Sequence, residues 1–280
     1  MALPSSGTLR LSQIQTEFGG SNPISMSEYY RGGPYVTTNN TGVPTSGVIS
    51  IGNFYGAVKQ FAFTNTTNYS SPQNLRSLAL AAGWNGSDAL LFTNNAIISS
   101  NTTGTPALTI NGSFPNGVTF VNNSYIVGMG GRGGDYGQPG NAGGTALAVS
   151  SAVRITNNGT FAGGGGGGGS SPVFGWGGVD LTYGGGAGAS GLTQAIGGDG
   201  NEWRDGGSSG LDGATGLYSI PGSGGYACWS GVCNGSSGNG GTWGSTGGSG
   251  GYAGGAAGAA VAGNSYVTWL ATGTRYGSVS

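Results

Sequence analysis

The sequence predicts a mainly β and otherwise irregular fold. A small N-terminal module and a β-rich region precede a bundle of polyglycine-II helices with exposed loops. Three observations lead there. Of the 66 glycines, 50 fall between Gly128 and Gly263. Short apolar runs punctuated by Asn, Thr and Ser fill residues 58–127. Aromatic and charged residues gather in the segments between glycine runs. The expected divisions are therefore 1–57, an attachment or assembly module; 58–127, a β-rich domain; 128–263, the glycine bundle; and 264–280, a C-terminal strand segment.

The first module carries an internal echo. PSSGTLRLSQI (4–14) recurs as PTSGVISIGNF (44–54), each a Ser/Gly turn followed by alternating apolar positions. Such alternation is a weak strand signal: Leu9 and Leu11, then Val48, Ile49 and Ile51. LSQIQTEF (11–18) reads equally as a short helix with Leu11, Ile14 and Phe18 on one face, ended by Gly19-Gly20.

Residues 58–127 read as strands in QFAFTN, ALLFTNNAIIS, ALTING and GVTFVNNSYIVG. Asn-Gly pairs at 85–86, 111–112 and 116–117 mark turns. NLRSLALAAGW (74–84) breaks the pattern. It has helical spacing at Leu75, Leu78 and Ala82, and Gly83 is placed to cap it. FVNNSYIVGMGG (120–131) resembles ITNNGTFAGGGG (155–166), and GNSYVTW (263–269) repeats part of it. Strands that feed into glycine runs argue against a random linker.

The glycine region admits four readings. Collagen requires glycine at every third position and abundant proline, and the period breaks repeatedly. A calcium β-roll requires a tandem nonapeptide, and GGDGNEW (197–203) has no tandem partner. A flexible Gly/Ser linker does not account for Trp176, Trp203, Trp229, Trp243 and Trp269, or for Tyr136, Tyr183, Tyr218, Tyr226, Tyr252 and Phe174. Extended glycine helices remain. They have three residues per turn and no internal hydrogen bonds, so their amides and carbonyls must find partners on neighbours. The connecting segments then emerge as loops at the bundle ends.

Those segments supply the candidate binding residues: Phe174, Trp176, Trp203, Arg204, Tyr218 and Trp229. Aromatics and arginine are enriched at binding hot spots, and rigidly held Tyr/Ser/Gly loops resemble antibody paratopes. The competing reading is that these aromatics shield the bundle ends from water. Cys228 and Cys233 flank one such segment, ACWSGVC. A loop disulfide and two free thiols both fit their spacing.

Composition excludes several functions. Charged residues are 6% of the chain and the net charge is −1, with no basic patch. No nucleic-acid partner is expected, because nothing neutralises phosphates. With no histidine, a Ser-His-Asp triad cannot be built, and no metal site or cofactor is expected. Asp199, Glu202, Asp205 and Asp212 could supply the two carboxylates of a glycosidase, but they lie in glycine-rich loops that offer no rigid groove. The chain is therefore not expected to be an enzyme. No 18-residue apolar run occurs, so no membrane insertion is expected. MALPSSGTLRLSQ lacks the basic and apolar regions of a secretory signal.

Across 128–263, the alternation of GGRGG, GGGGGGG and GGSGGYAGGAAG with aromatic segments resembles the tip adhesins of T-even-type phage long tail fibres. The opening, residues 1–33, is similar to N-terminal segments of tail proteins of marine and cyanobacterial phages. NSYVTWLATGTRYGSV (264–279) is similar to Gly-rich phage tail-fibre proteins. The resemblance implies a polyglycine-II sandwich whose loops bind a host outer-membrane protein or glycan. It also implies a place in the virion at the tail fibre or tail tip, with residues 1–57 contacting other tail proteins. Monomer and homotrimer both remain open. The alternatives are a structural fibre or baseplate protein without receptor contact, and a polysaccharide-degrading spike.

Overall fold

A computed structural model describes residues 2–172, 174–176, 179–197, 201–202, 213–216, 219–229 and 232–280. Residues 174–176, 179–182, 201–202, 226–229 and 232–235 are described by their backbone only. The strands are β1 (Gln60–Asn65), β2 (Gln73–Asn74), β3 (Ala89–Asn94), β4 (Ile98–Ser99), β5 (Leu108–Ile110), β6 (Val118–Asn122), β7 (Tyr125–Val127), β8 (Leu147–Val149), β9 (Val153–Asn157), β10 (Thr160–Ala162), β11 (Phe174–Trp176), β12 (Val179–Thr182), β13 (Asn201–Glu202), β14 (Tyr226–Trp229), β15 (Val232–Ser236), β16 (Val261–Ala262), β17 (Val267–Ala271) and β18 (Thr274–Tyr276). Two short α-helices, α1 (Leu11–Phe18) and α2 (Leu75–Ala81), accompany them. The fold is mainly β, as the residues predict. One sheet has the order β1-β3-β6-β9-β17, a second β18-β10-β7-β4 and a third β16-β8-β5-β2.

The chain packs as two compact units. The first comprises Met1–Phe63, Ala79–Phe92 and Ser113–Thr119. Its N-terminal part closes on itself: the Leu3 amide donates to the Ala57 carbonyl at 2.9 Å and the Gly56 amide to the Pro4 carbonyl at 3.0 Å. Inside this clasp lie Leu9, Ile14, Phe18, Tyr29, Val36, Val43 and Phe54. The Tyr29 hydroxyl is satisfied by the Gly19 carbonyl at 2.7 Å, as a buried phenol requires. Of the two readings of 11–18, helix is the outcome. Ile14 and Phe18 are buried, and Gly19 ends the helix at φ 88°. The echoed motif is a helix start rather than a strand. The Arg10 amide donates to the Gln13 side chain and the Ser50 amide to the Asn53 side chain, both at 2.8 Å. Val48, expected on an alternating strand, is 91% exposed.

The second unit comprises Thr64–Leu78, Thr93–Gly112 and Phe120–Ser280. Within it β4, β7, β10 and β18 pair in parallel, as do β2, β5, β8 and β16. Parallel pairing follows from the order of travel, because each coil visits the sheets in turn and the next coil stacks beside it. Inward positions alternate along β9: Val153, Ile155 and Asn157 are buried. Phe120 and Phe161 pack at 6.2 Å, and Phe161 meets Trp269 at 6.2 Å. Burying each such ring contributes about 1.5–3 kcal/mol.

The Asn at each strand end has a specific task. The side-chain amide of Asn65 donates to the Asn94 side chain at 2.9 Å, Asn94 to Asn122 at 2.9 Å, and Asn122 to Asn157 at 2.8 Å. Asn157 ends the ladder on the Thr272 carbonyl at 2.8 Å. An outer ladder links Asn158, Asn123 and Asn95. The repeat seen at 122 and 157 therefore extends back to Asn94 and Asn65. Its signature is an apolar residue, any residue, then Asn, at Phe63, Phe92, Phe120 and Ile155.

Helix α2 begins at the Asn74 side chain, which accepts from the Ser77 amide at 3.0 Å, an N-cap contact. Leu75 is fully buried, and Ala79 rather than the expected Ala82 shares the covered face. The Asn-Gly turns hold: Gly86, Gly112 and Gly117 all have positive φ.

Candidate functional site

The glycine stretches leave the parallel sheets at Val127 and Ala162 and return at Leu147 and Val261. Run 163–169 lies among six other stretches. The amides of Gly164 and Gly167 donate to the carbonyls of Gly144 and Asn141. Those of Gly165 and Gly168 reach Ala189 and Gly186, and those of Gly166 and Gly169 reach Ser245 and Gly248. Its carbonyls accept with the same period. Gly165 and Gly168 receive Gly131 and Gly134, Gly164 and Gly167 receive Gly258 and Gly255, and Gly166 and Gly169 receive Gly241 and Gly238. All these bonds measure 2.7–3.0 Å. Every amide and carbonyl of the run is thus satisfied, as buried backbone demands.

Only glycine fits this packing. A Cβ on any of residues 163–169 would lie 1.9–2.1 Å from a backbone carbonyl oxygen of a neighbouring stretch. The run is fully enclosed.

The turns fall at two ends. At the end away from β7 and β10, the Ser171 amide donates to the Tyr183 carbonyl at 3.0 Å, closing the base of the β11–β12 hairpin. The Gly225 amide donates to the Gly184 carbonyl at 3.0 Å. The Ser237 hydroxyl donates to the Gly184 and Gly225 carbonyls at 2.6 and 2.8 Å, bases of the β14–β15 hairpin. The turn at 135–138 joins through Ser170, whose hydroxyl is 3.1 Å from the Gln138 amide. The turn at 250–252 joins through the Tyr252 amide, which donates to the Ser170 carbonyl at 3.1 Å. Two hairpins and two turns therefore leave this end together. Tyr183, 5% exposed, is buried beneath them, and burial raises its hydroxyl pKa above the usual 10.0.

Segments expected as plain loops carry strands. Phe174 and Trp176 lie on β11 opposite Leu181 and Val179, and Trp229 lies on β14 opposite Val232. Cys228 and Cys233 are cross-strand partners. Glu202 on β13 is opposite Leu181. For these residues the backbone alone is described. Trp203, Arg204, Tyr218, Asp199, Asp205 and Asp212 lie outside the described residues. Two further exposed aromatics, Tyr136 and Tyr252, stand on the turns at the same end. Arg132 and Asp135 form an exposed ion pair there at 3.0 Å. The signal for them was Asp-Tyr and Gly-Tyr placed between glycine runs.

A family model described as phage tail fibre adhesin Gp38 matches residues 60–280. The chain belongs to the family of Gp38 phage tail fibre adhesins. It is a receptor-binding tail-fibre adhesin and its place is the virion tail fibre. Among solved structures, a chain of the gp37–gp38 adhesin tip complex of the bacteriophage S16 long tail fibre is similar, with 28% sequence identity and a TM-score of 0.65. The likeness covers 99% of the adhesin and all of that chain. It reaches well beyond 128–263, where the sequence resemblance was read. A search of curated proteins gives no match.

Proposed function

We propose that the adhesin meets its host receptor, an outer-membrane protein or glycan, with the end formed by the β11–β12 and β14–β15 hairpins. The observation that carries this is the convergence of both hairpin bases on Ser171, Tyr183, Gly184, Gly225 and Ser237. Rigid support beneath aromatic segments lowers the ordering cost of binding. Phe174, Trp176 and Trp229 are the contact candidates on the hairpins, with Trp203 and Arg204 in the segment that follows Gly197. Tyr136 and Tyr252 join them from the turns. Tyr218 belongs to the segment between Gly216 and Gly222, whose bonds to Ala195 and Ala187 lead away from the hairpin bases, and is not counted with them.

On this reading the glycine stretches are a polyglycine-II bundle. The return of each bonding partner at every third residue supports it, since that helix has three residues per turn. Residues 1–57 are the attachment module, 58–127 the β-rich domain, 128–263 the bundle and 264–280 its closing strand segment. The S16 relative sits in a complex with gp37, which supports docking of this adhesin onto another tail-fibre protein through residues 1–57. Its role is adhesion rather than catalysis. The cross-strand placement of Cys228 and Cys233 supports a disulfide holding the β14–β15 hairpin, which thiol alkylation with and without reductant tests by mass.

The decisive experiment exchanges 172–182 and 226–236 for Gly-Ser linkers of equal length. The expected result is loss of binding to host cells with the melting temperature of the body retained. Undiminished cell binding by the exchanged protein refutes the assignment.

A further inference from the structure

The opposite end of the glycine body holds a recess that adhesion through the hairpins does not use. Its floor is the outer face of the β18-β10-β7-β4 sheet. Register aligns Tyr125, Thr160 and Thr274 in one row across β7, β10 and β18. Tyr276 follows Thr274 by two residues and so shares its face. Arg275 alternates to the other face, where its guanidinium stands 5.1 Å from the Trp269 ring centre. Trp243 comes from the turn that returns the glycine chain. Its indole N–H donates to the Ser190 carbonyl at 3.1 Å, which fixes the ring. The ring lies 6.1 Å from both Tyr125 and Tyr276, tilted 49° and 50° to them. The three rings therefore line a cup of about 560 Å³ together with the hydroxyl side chains of Thr160, Ser219, Thr242 and Thr274.

The chemistry of this cup is specific. Ligand pockets span about 300–1,000 Å³, and the volume lies in that range. Among the described residues no lining side chain is charged, so a charged ligand would lose hydration that these side chains do not replace. Tyr125 and Tyr276 are 39% and 46% exposed, so their rings can be reached from solvent. Aromatic faces suit a flat apolar surface, and the lining hydroxyls offer donors and acceptors side by side. A neutral sugar ring presents both, with C–H groups on its face and hydroxyls at its edge. We propose that this recess is a second binding site, for an uncharged saccharide. It is separate from the hairpin end. A glycan held here would keep the adhesin at the cell surface between hairpin encounters, since linked weak sites raise avidity.

The test titrates the full adhesin with glucose, galactose and mannose trisaccharides, read by saturation-transfer NMR and tryptophan fluorescence. Binding of at least one trisaccharide with a Kd of about 1 mM is expected. Trp243→Ala should weaken it at least tenfold. Thr274→Val and Tyr276→Phe, which leave packing intact, should weaken it several-fold with an unchanged melting curve. The hairpin-exchanged protein should bind the sugar as the native adhesin does, which separates this site from the receptor assignment. No saturable binding of any of the three sugars overturns the proposal. So does binding unaltered in the Thr274→Val and Tyr276→Phe proteins, or binding lost only with the hairpins.

Discussion

Replacing Gly167 by alanine adds one methyl group at a fully enclosed point of the glycine body. That carbon would stand 1.9 Å from the Arg132 carbonyl oxygen and 2.5 Å from its carbon. Reaching even a 3.0 Å contact requires the two stretches to part by about 1.1 Å. Both sides are backbone, so no rotamer relieves the clash. The stretch displaced is held by the Gly131 and Gly134 amides, each 2.8 Å from the Gly165 and Gly168 carbonyls. Parting by that amount carries these bonds to about 3.9 Å, beyond hydrogen-bonding range. Leaving two buried pairs unsatisfied costs about 1–3 kcal/mol each. The expected loss is about 2–6 kcal/mol, a large share of the ~5–15 kcal/mol that holds a domain folded. In a unit of this size the melting temperature should fall by on the order of 10 °C. Gly104→Ala is the control, since the nearest heavy atom to its added carbon is the Thr102 hydroxyl at 3.9 Å. Scanning calorimetry of the full chain compares the two. A Gly167→Ala protein that melts within about 2 °C of the Gly104→Ala control refutes the packing argument.

The buried Asn ladder should respond differently from the outer one. Asn122→Ala strips partners from Asn94 and Asn157 and should cost about 2–5 kcal/mol in denaturant unfolding, whereas Asn123→Ala on the exposed ladder should cost under about 1 kcal/mol. Asp135→Asn breaks an ion pair whose side chains are each 40% exposed, and should change stability by less than about 1 kcal/mol. Ser237→Ala removes the hydroxyl shared by the Gly184 and Gly225 carbonyls; limited proteolysis should cut 226–236 faster while the body stays intact. For pH, burial, then the Glu28 charge and Tyr35, raise the Tyr29 hydroxyl above 10.0, and burial alone raises Tyr183. The neutral phenols are thus favoured by folding. Their contribution is complete below pH ~10 and is lost as pH climbs through their folded values. With no histidine in the chain, melting temperature should fall in alkali, with tyrosinate absorbance rising in step with unfolding.

Much of this was legible in the residues, and the reasons differ by element. Helix α1 was one of two open readings, suggested because Ile14 and Phe18 share a face and Gly19-Gly20 stops it. The turns at Gly86, Gly112 and Gly117 were readable because Asn-Gly favours positive φ. The ladder was half legible: two Asn-Asn pairs stood out, while Asn65 and Asn94 read as punctuation between apolar runs. A buried Asn and a loop Asn are the same letter; only stacking of one coil on another makes the first necessary. The hairpins were hidden for a related reason. FGW and VDLT are too short for alternation to be read, and their strand character comes from pairing with each other.

By itself, the sequence determined which backbone segments must lie without side chains, and that aromatics would be confined to the turns between them. The tertiary structure decided which segment bonds to which, and so which turns share an end. Glycine carries no side chain to specify a neighbour. The choice among partners therefore rests with the strands at Val127 and Ala162, which launch the stretches in register, and with the serines at 170, 171 and 237, which gather their far ends.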